Sequence, residues 1–229
     1  MKTKLTFQLS LMMFLEFFIW GVWFVPLGNY LTTIGFQGEQ VGAVFSTLAW
    51  GSIISAFFVS LVADRYFSAQ KLMGILHLLG GVLIFAASRI TEPGLFFWTM
   101  LAFMICYMPT VALASTIALH HVSDAGRQFP RIRVLGTIGW VISGLVSSAL
   151  NIENTNIPMM MAATACIVLG LFSFYLPDTP PQRREGKVSL AAVLGFDALK
   201  MMKEKSFAIL IISTLLISIP FAMYFQYTN

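Results

Sequence analysis

The feature that most constrains this chain is a series of apolar runs of about 20 residues, separated by short charged or Gly/Pro-containing breaks. That is the length a helix needs to cross a hydrocarbon core about 30 Å thick. Splitting the sequence at those breaks predicts helices over 6–31, 40–63, 70–88, 95–121, 131–150 and 156–176, with a seventh starting near 206. Composition agrees, with 58% hydrophobic and only 10% charged residues, where soluble domains carry roughly a quarter charged. The chain therefore reads as an all-α membrane protein. The first run begins near Leu5, extends through Tyr30 and has no small-residue cleavage site. It is expected to remain as a membrane helix and not to act as a signal peptide.

The breaks alternate in charge. Lys2, Lys4, Arg65, Lys71, Arg127, Arg131, Arg183, Arg184, Lys187, Lys200, Lys203 and Lys205 fall at the N-terminus or in even-numbered connections, whereas the odd ones hold Arg89 alone. The positive-inside rule then puts the N-terminus in the cytoplasm, on the inner membrane of a cell. Topology accounts for the basic residues, so the net charge of +4 does not point to nucleic acid. Three segments follow: a six-helix transmembrane bundle over 1–176, a cytoplasmic linker over 177–205, and a seventh transmembrane helix over 206–229 that opens an incomplete second bundle. Within the linker, Leu190, Val193, Leu194 and Ala198 beside Lys200 and Lys203 suggest an amphipathic helix lying on the lipid surface.

Within the first span, Glu16 lies roughly 18 Å past Lys4 at about 1.5 Å per residue. A carboxyl group near mid-bilayer is costly unless it faces a cavity, pairs or is protonated, so it is by default a functional candidate. It is the proton-coupling candidate here. Trp20, Trp23 and Tyr30 follow at i+4, i+7 and i+14 on one helix face, and stacking planes beside an acid suit a flat polar ligand. In the fourth span Tyr107, Pro109 and Thr110 put a kink beside hydroxyls, which membrane helices tolerate when neighbours or a wet cavity satisfy the freed backbone.

In the fifth span Pro130 is read as a first-turn residue. Arg133, Thr137, Trp140 and Ser147 follow as a polar stripe, and Gly136 and Gly139 allow a neighbouring backbone to come close. Arg131 reads as a headgroup anchor. Arg133 has an inexpensive alternative in snorkelling to the cytoplasmic interface, but the stripe beyond it favours a cavity. His77, His120 and His121 carry no metal-ligand spacing, and Cys106 and Cys166 are read as small core residues. The spans hold no paired catalytic carboxylates, Ser–His arrangement or metal-ligand cluster, so neither an enzyme, a cofactor nor a metal is expected.

At the end of the second span, SLVADRYFSAQK resembles the signature loop of the major facilitator superfamily. Asp64 and Arg65 match its charged pair, while Ser60 and Phe67 stand where the glycines usually are. The resemblance implies a gating role for Asp64 and Arg65. Taken with FLEFFIWGVW, YMPTVALASTIA, FPRIRVLGTIGW and LPDTPP in this order, the chain resembles the nucleoside:proton symporters of that superfamily over essentially its whole length. The resemblance implies the superfamily's N-terminal six-helix bundle plus the start of the second bundle. It further implies proton-coupled nucleoside uptake by alternating access, with the C-terminal half of the same transporter as partner and the lipid bilayer as solvent. By motif it places substrate-binding roles on Arg133, Thr137 and Trp140, and on Gln226 and Asn229 in the seventh span. Trp20 joins them by its place beside Glu16. Some relatives carry glutamine where this chain has Glu16, so the proton role of that acid rests on its depth alone. A complete seven-helix receptor, or a bundle that does not transport, is the alternative that helix count permits. The seventh span contains no lysine for a retinal Schiff base.

Overall fold

The computed structural model describes residues 3–58, 67–181 and 201–227, the side chains of 57–58 and 221–227 excepted. Asp64, Arg65, Asn229 and the amphipathic linker helix lie outside the described residues, as does the side chain of Gln226. The described residues fall into two compact units, Met1–Gln182 and Arg183–Asn229.

The first unit is a bundle of helices: α1 Thr3–Phe24, α2 Leu27–Thr33, α3 Gly38–Phe58, α4 Ala69–Ala87, α5 Pro93–His121, α6 Ala125–Ala149 and α7 Ile157–Ser173. The second unit contributes a 3-10 turn, Met201–Lys203, and α8, Lys205–Tyr227. Among the described residues, Thr3–Thr33, α4, α5 and α6 are long and apolar enough to cross a membrane, and α7 is a shorter apolar helix. The chain is an all-α, multi-pass membrane protein.

Two boundaries differ from expectation. The first span breaks after Phe24, because Pro26 has no N–H to donate back to Val22 and its ring crowds that carbonyl; a short second helix restarts at Leu27. Tyr30 therefore does not continue the helical face of Glu16. The helix expected to begin at Pro130 begins at Ala125, where the Asp124 carboxylate accepts from the Arg127 N–H at 3.1 Å and satisfies an otherwise orphaned donor. Pro130 lies inside α6, not in its first turn.

α1 is the central helix and packs on α5, α6 and α7, while α4 packs on α5 and α7, and α3 on α5. It buries Leu9, Met12, Met13, Glu16, Phe17, Ile19, Val22 and Trp23, a spread wider than one face. Lipid tails are as apolar as leucine, so helices associate in a bilayer through close packing, not through escape from water. Gly139 shows this at the α1–α6 seam: a Cβ there would sit 2.3 Å from the Phe14 carbonyl oxygen. Gly51 does the same between α3 and α5, where a Cβ would lie 3.0 Å from the Met104 backbone.

At one end of the bundle, the segment after α7 is tied to the starts and ends of other helices. Gln70 accepts from the Thr179 N–H at 2.9 Å and donates to Asp178 at 2.6 Å, the Ala69 N–H donates to the Thr179 carbonyl at 3.0 Å, and His121 Nε2 meets the Thr179 hydroxyl at 3.0 Å. At the start of α5 the Glu92 carboxylate accepts from the N–H groups of Gly94 and Leu95. Those two donors hold its carboxyl below the usual glutamate range.

Candidate functional site

Glu16 is fully buried and fully engaged. Its Oε2 lies 2.9 Å from His77 Nε2 on α4, its Oε1 lies 2.7 Å from the Thr110 hydroxyl on α5, and its backbone carbonyl accepts from the Tyr107 hydroxyl at 2.5 Å. His77 is buried to the same degree, and its Nδ1 has no hydrogen-bond partner among the described residues. One carboxyl thus ties three helices together by their polar groups. His77 had no evident role from sequence, where it stood as a lone histidine without ligand spacing. Its signal was depth: an ionisable residue about 12 Å past the start of its helix at Ala69 deserves the same default as a buried carboxyl.

A second grouping runs along the neighbouring face of α1. Phe17, Trp20 and Phe24 recur at i, i+3 and i+7, with ring centroids 6.1 and 6.4 Å apart. Trp140 from α6 meets Trp20 edge-on at 5.8 Å, and Tyr107 meets it edge-on at 6.4 Å from the α5 side. The Arg133 guanidinium covers Phe17, its Cζ 3.9 Å from the ring centroid. At a half-buried arginine such a pairing is worth on the order of 1 kcal/mol. Arg133 reaches that ring by lying along α6: a Cβ on Gly136, one turn further from the helix start, would sit 2.8 Å from its Nη1. The head group therefore extends inward along the helix, the reverse of snorkelling.

Trp20 also lines a cavity of about 450 Å³ between α3 and α5, with Ser52, Ser55 and Ala56 on one side and Met108, Pro109, Val111, Ala112 and Ser115 on the other. The buried Nε1–H of Trp20 has no hydrogen-bond partner among the described residues. Each serine hydroxyl donates to its own helix, Ser52 to Leu48, Ser55 to Ser52 and Ser115 to Val111, which leaves lone pairs to accept. These serines were not singled out from sequence, although Ser52 and Ser55 recur at i, i+3 within an apolar run.

The structure brings Arg133 and Trp20 to Phe17, and Trp140 to Trp20 and Phe24. Trp23 lies elsewhere, buried against Phe103 at 5.6 Å. The stripe on α6 straddles the edge of its buried face: at about 100° per residue, Thr137 and Ser147 fall about 40° to opposite sides of Arg133, and Thr137 is exposed while Ser147 is buried. Arg133 and Trp140 sit on the boundary, both half-buried. Arg133, Thr137 and Trp140 do not line the cavity itself; Trp20 connects the two regions. Among the described residues, no group of three His, Cys, Asp or Glu side chains is placed to hold a metal.

A family model described as nucleoside H+ symporter matches residues 1–229. YegT of Escherichia coli (strain K12) is 42% identical over 99% of this chain and 55% of its own length. The crystal structure of the nucleoside transporter NupG superposes with a TM-score of 0.85 at 31% identity, covering all of this chain and 57% of that one. A crystal structure of the peptide transporter POT shares the fold, with a TM-score of 0.61 at 14% identity over 97% of this chain and 46% of that one. The chain spans about half the length of the curated relatives it matches.

Proposed function

The chain belongs to the nucleoside H+ symporter family, and we propose that it forms the N-terminal half of a secondary active transporter that takes up nucleoside together with protons by alternating access. The observation that carries this reading is the wall of Arg133, Phe17, Trp20 and Trp140 beside the cavity. A nucleoside presents a flat base and a hydroxyl-rich sugar. Aromatic planes take the first by stacking, and Arg133 and Thr137 take the second by hydrogen bonding. The half-buried setting of Arg133 and Trp140 and the exposure of Thr137 suit residues that meet substrate at a face completed by a second bundle. Gln226 and Asn229 would contribute from that second bundle, and Asp64 and Arg65 would act at the gating turn. Glu16 would carry the coupled proton. In this reading the protein sits in the inner membrane with its N-terminus in the cytoplasm, as the distribution of basic residues favours.

The test is uptake of radiolabelled nucleoside by the full-length protein in vesicles under an imposed proton gradient. Loss of one charge-assisted hydrogen bond, about 1.5–3 kcal/mol, predicts an apparent affinity about 10- to 100-fold weaker in Arg133→Ala. Thr137→Ala and Trp140→Ala should weaken it less. Undiminished uptake in Arg133→Ala and Trp140→Ala together would remove the proposed wall from the substrate site.

A further inference from the structure

The cavity between α3 and α5 and the wall around Arg133 share one residue. Trp20 lines the cavity and meets Phe17 with ring centroids 6.1 Å apart, while Arg133 covers Phe17 from α6. A ligand whose sugar is held by Arg133 therefore has its base within reach of Trp20 and of the cavity it lines. At about 450 Å³ that cavity falls within the range of small-molecule sites, about 300–1,000 Å³, and a flat base needs only part of it.

The lining has a definite chemistry. Among the described residues no charged side chain borders the cavity, and its hydroxyls are those of Ser52 and Ser55 from α3 and Ser115 from α5. Each of them already donates to a carbonyl of its own helix, Ser52 to Leu48 at 2.7 Å, Ser55 to Ser52 at 3.2 Å and Ser115 to Val111 at 3.2 Å. A hydroxyl has one proton and two lone pairs. A serine that keeps its helix bond therefore meets a ligand as an acceptor, whereas donating to the ligand requires that bond to be given up. Met108 adds a flexible thioether that packs against rings of different outline. A nucleobase matches this set, with apolar faces and an edge that carries amino or ring N–H donors. An acyl chain, the other occupant a bilayer supplies, would make no use of the hydroxyls.

We propose that the base of the nucleoside enters this cavity and that Ser52, Ser55 and Ser115 are specificity-determining residues, accepting hydrogen bonds from the N–H groups of the base edge. The inference rests on the nucleoside reading and adds which part of the substrate lies where. Arg133 and Thr137 meet the sugar, the serines meet the base, and Trp20 stands between them.

Competition against uptake of radiolabelled nucleoside by the full-length protein in vesicles tests the placement. Adenosine and purine riboside differ only in the amino group of the base, as do cytidine and pyrimidinone riboside; adenosine and deoxyadenosine differ only in the sugar. One neutral hydrogen bond predicts that wild type favours the amino-bearing member of each base pair by about 2- to 10-fold. In Ser52→Ala, Ser55→Ala and Ser115→Ala combined, that preference should shrink toward one, while the ratio of adenosine to deoxyadenosine stays at its wild-type value. These substitutions leave no group unpaired, because the Leu48, Ser52 and Val111 carbonyls keep their helical N–H donors. Ala112→Trp, which fills the cavity with a ring system as large as a purine, should lose uptake of both base classes. A wild-type base preference near one, a preference unmoved in the serine variant, or undiminished uptake in Ala112→Trp overturns the base placement and leaves nucleoside transport standing. Absence of uptake of either base class by wild type overturns the transport reading, and the placement with it.

Discussion

Gly139→Ala is a one-carbon perturbation whose consequence can be worked from the α1–α6 seam. The added Cβ would sit 2.3 Å from the Phe14 carbonyl oxygen and 3.2 Å from the Phe18 nitrogen. The first distance is about 1 Å short of ordinary contact. Both neighbours are helical backbone atoms, which have no rotamer to change, so the two helices must separate. Overpacking of this kind costs about 1–3 kcal/mol, against about 1 kcal/mol gained by replacing glycine with alanine inside a helix. The net loss is up to about 2 kcal/mol. At about 2–4 °C per kcal/mol for a chain of this size, the melting temperature should fall by a few degrees. Gly144, with nothing within 4 Å of its Cβ position, is the matched control, and Gly144→Ala should raise the melting temperature slightly. The same separation pulls Arg133 away from Phe17 and Trp140 away from Trp20, so under the proposed function nucleoside uptake should weaken in Gly139→Ala and not in Gly144→Ala. The assay is thermal unfolding in detergent followed by tryptophan fluorescence, with uptake measured in parallel. A Gly139→Ala protein as stable as Gly144→Ala, which gains the same helix propensity without the contact, would refute the claim that backbone contact sets this seam.

Two further outcomes follow from the ends of the helices. Gln70→Ala leaves the buried Thr179 N–H without its acceptor, at about 1–3 kcal/mol. Hydrogen exchange at Thr179 and protease cleavage within 176–181 should rise together, and unchanged exchange would show that the clamp does not depend on Gln70. Glu92 has a carboxyl held below its ordinary range by the Gly94 and Leu95 N–H groups. Its contribution is therefore full above the unfolded value and lost as pH falls through the lower folded one. Glu92→Ala should lower the melting temperature at neutral pH, and the gap from wild type should close in acid; a gap independent of pH would rule out the ionised cap.

Much of the fold was legible because bilayer physics leaves few solutions. A run of about 20 apolar residues has little choice but to form a spanning helix, and the boundaries of α4, α5 and α7 lie close to the expected ones. The misplaced boundaries share a cause. At Pro26 the apolar run continues while the backbone cannot, and hydropathy does not register a missing N–H. At Pro130 the run starts late because GRQF is polar, yet the Asp124 cap had already started the helix. Periodicity finds the part of a helix that lies in lipid, whereas capping finds the part that lies outside it. The Glu16–His77 contact spans 61 residues, and no local pattern encodes such a pairing. What sequence offers is two ionisable groups at membrane depth in different spans, each of which needs a partner.

Arg133 shows how a boundary alters a site. With the helix starting at Pro130, its guanidinium would be about 5 Å inside the first turn, and the interface would be its cheapest destination. With the start at Ala125 it lies about 12 Å along the axis, and Gly136 leaves a groove that directs the head group further in, onto Phe17. Phe17 is the residue after Glu16, so the arginine is brought to the depth of the buried acid. A cation at that depth is tolerable because the ring and the open boundary of α6 share its desolvation, and those same features leave its donors within reach of a ligand. Gly136, chosen from sequence as a packing residue, thereby also sets where the arginine points.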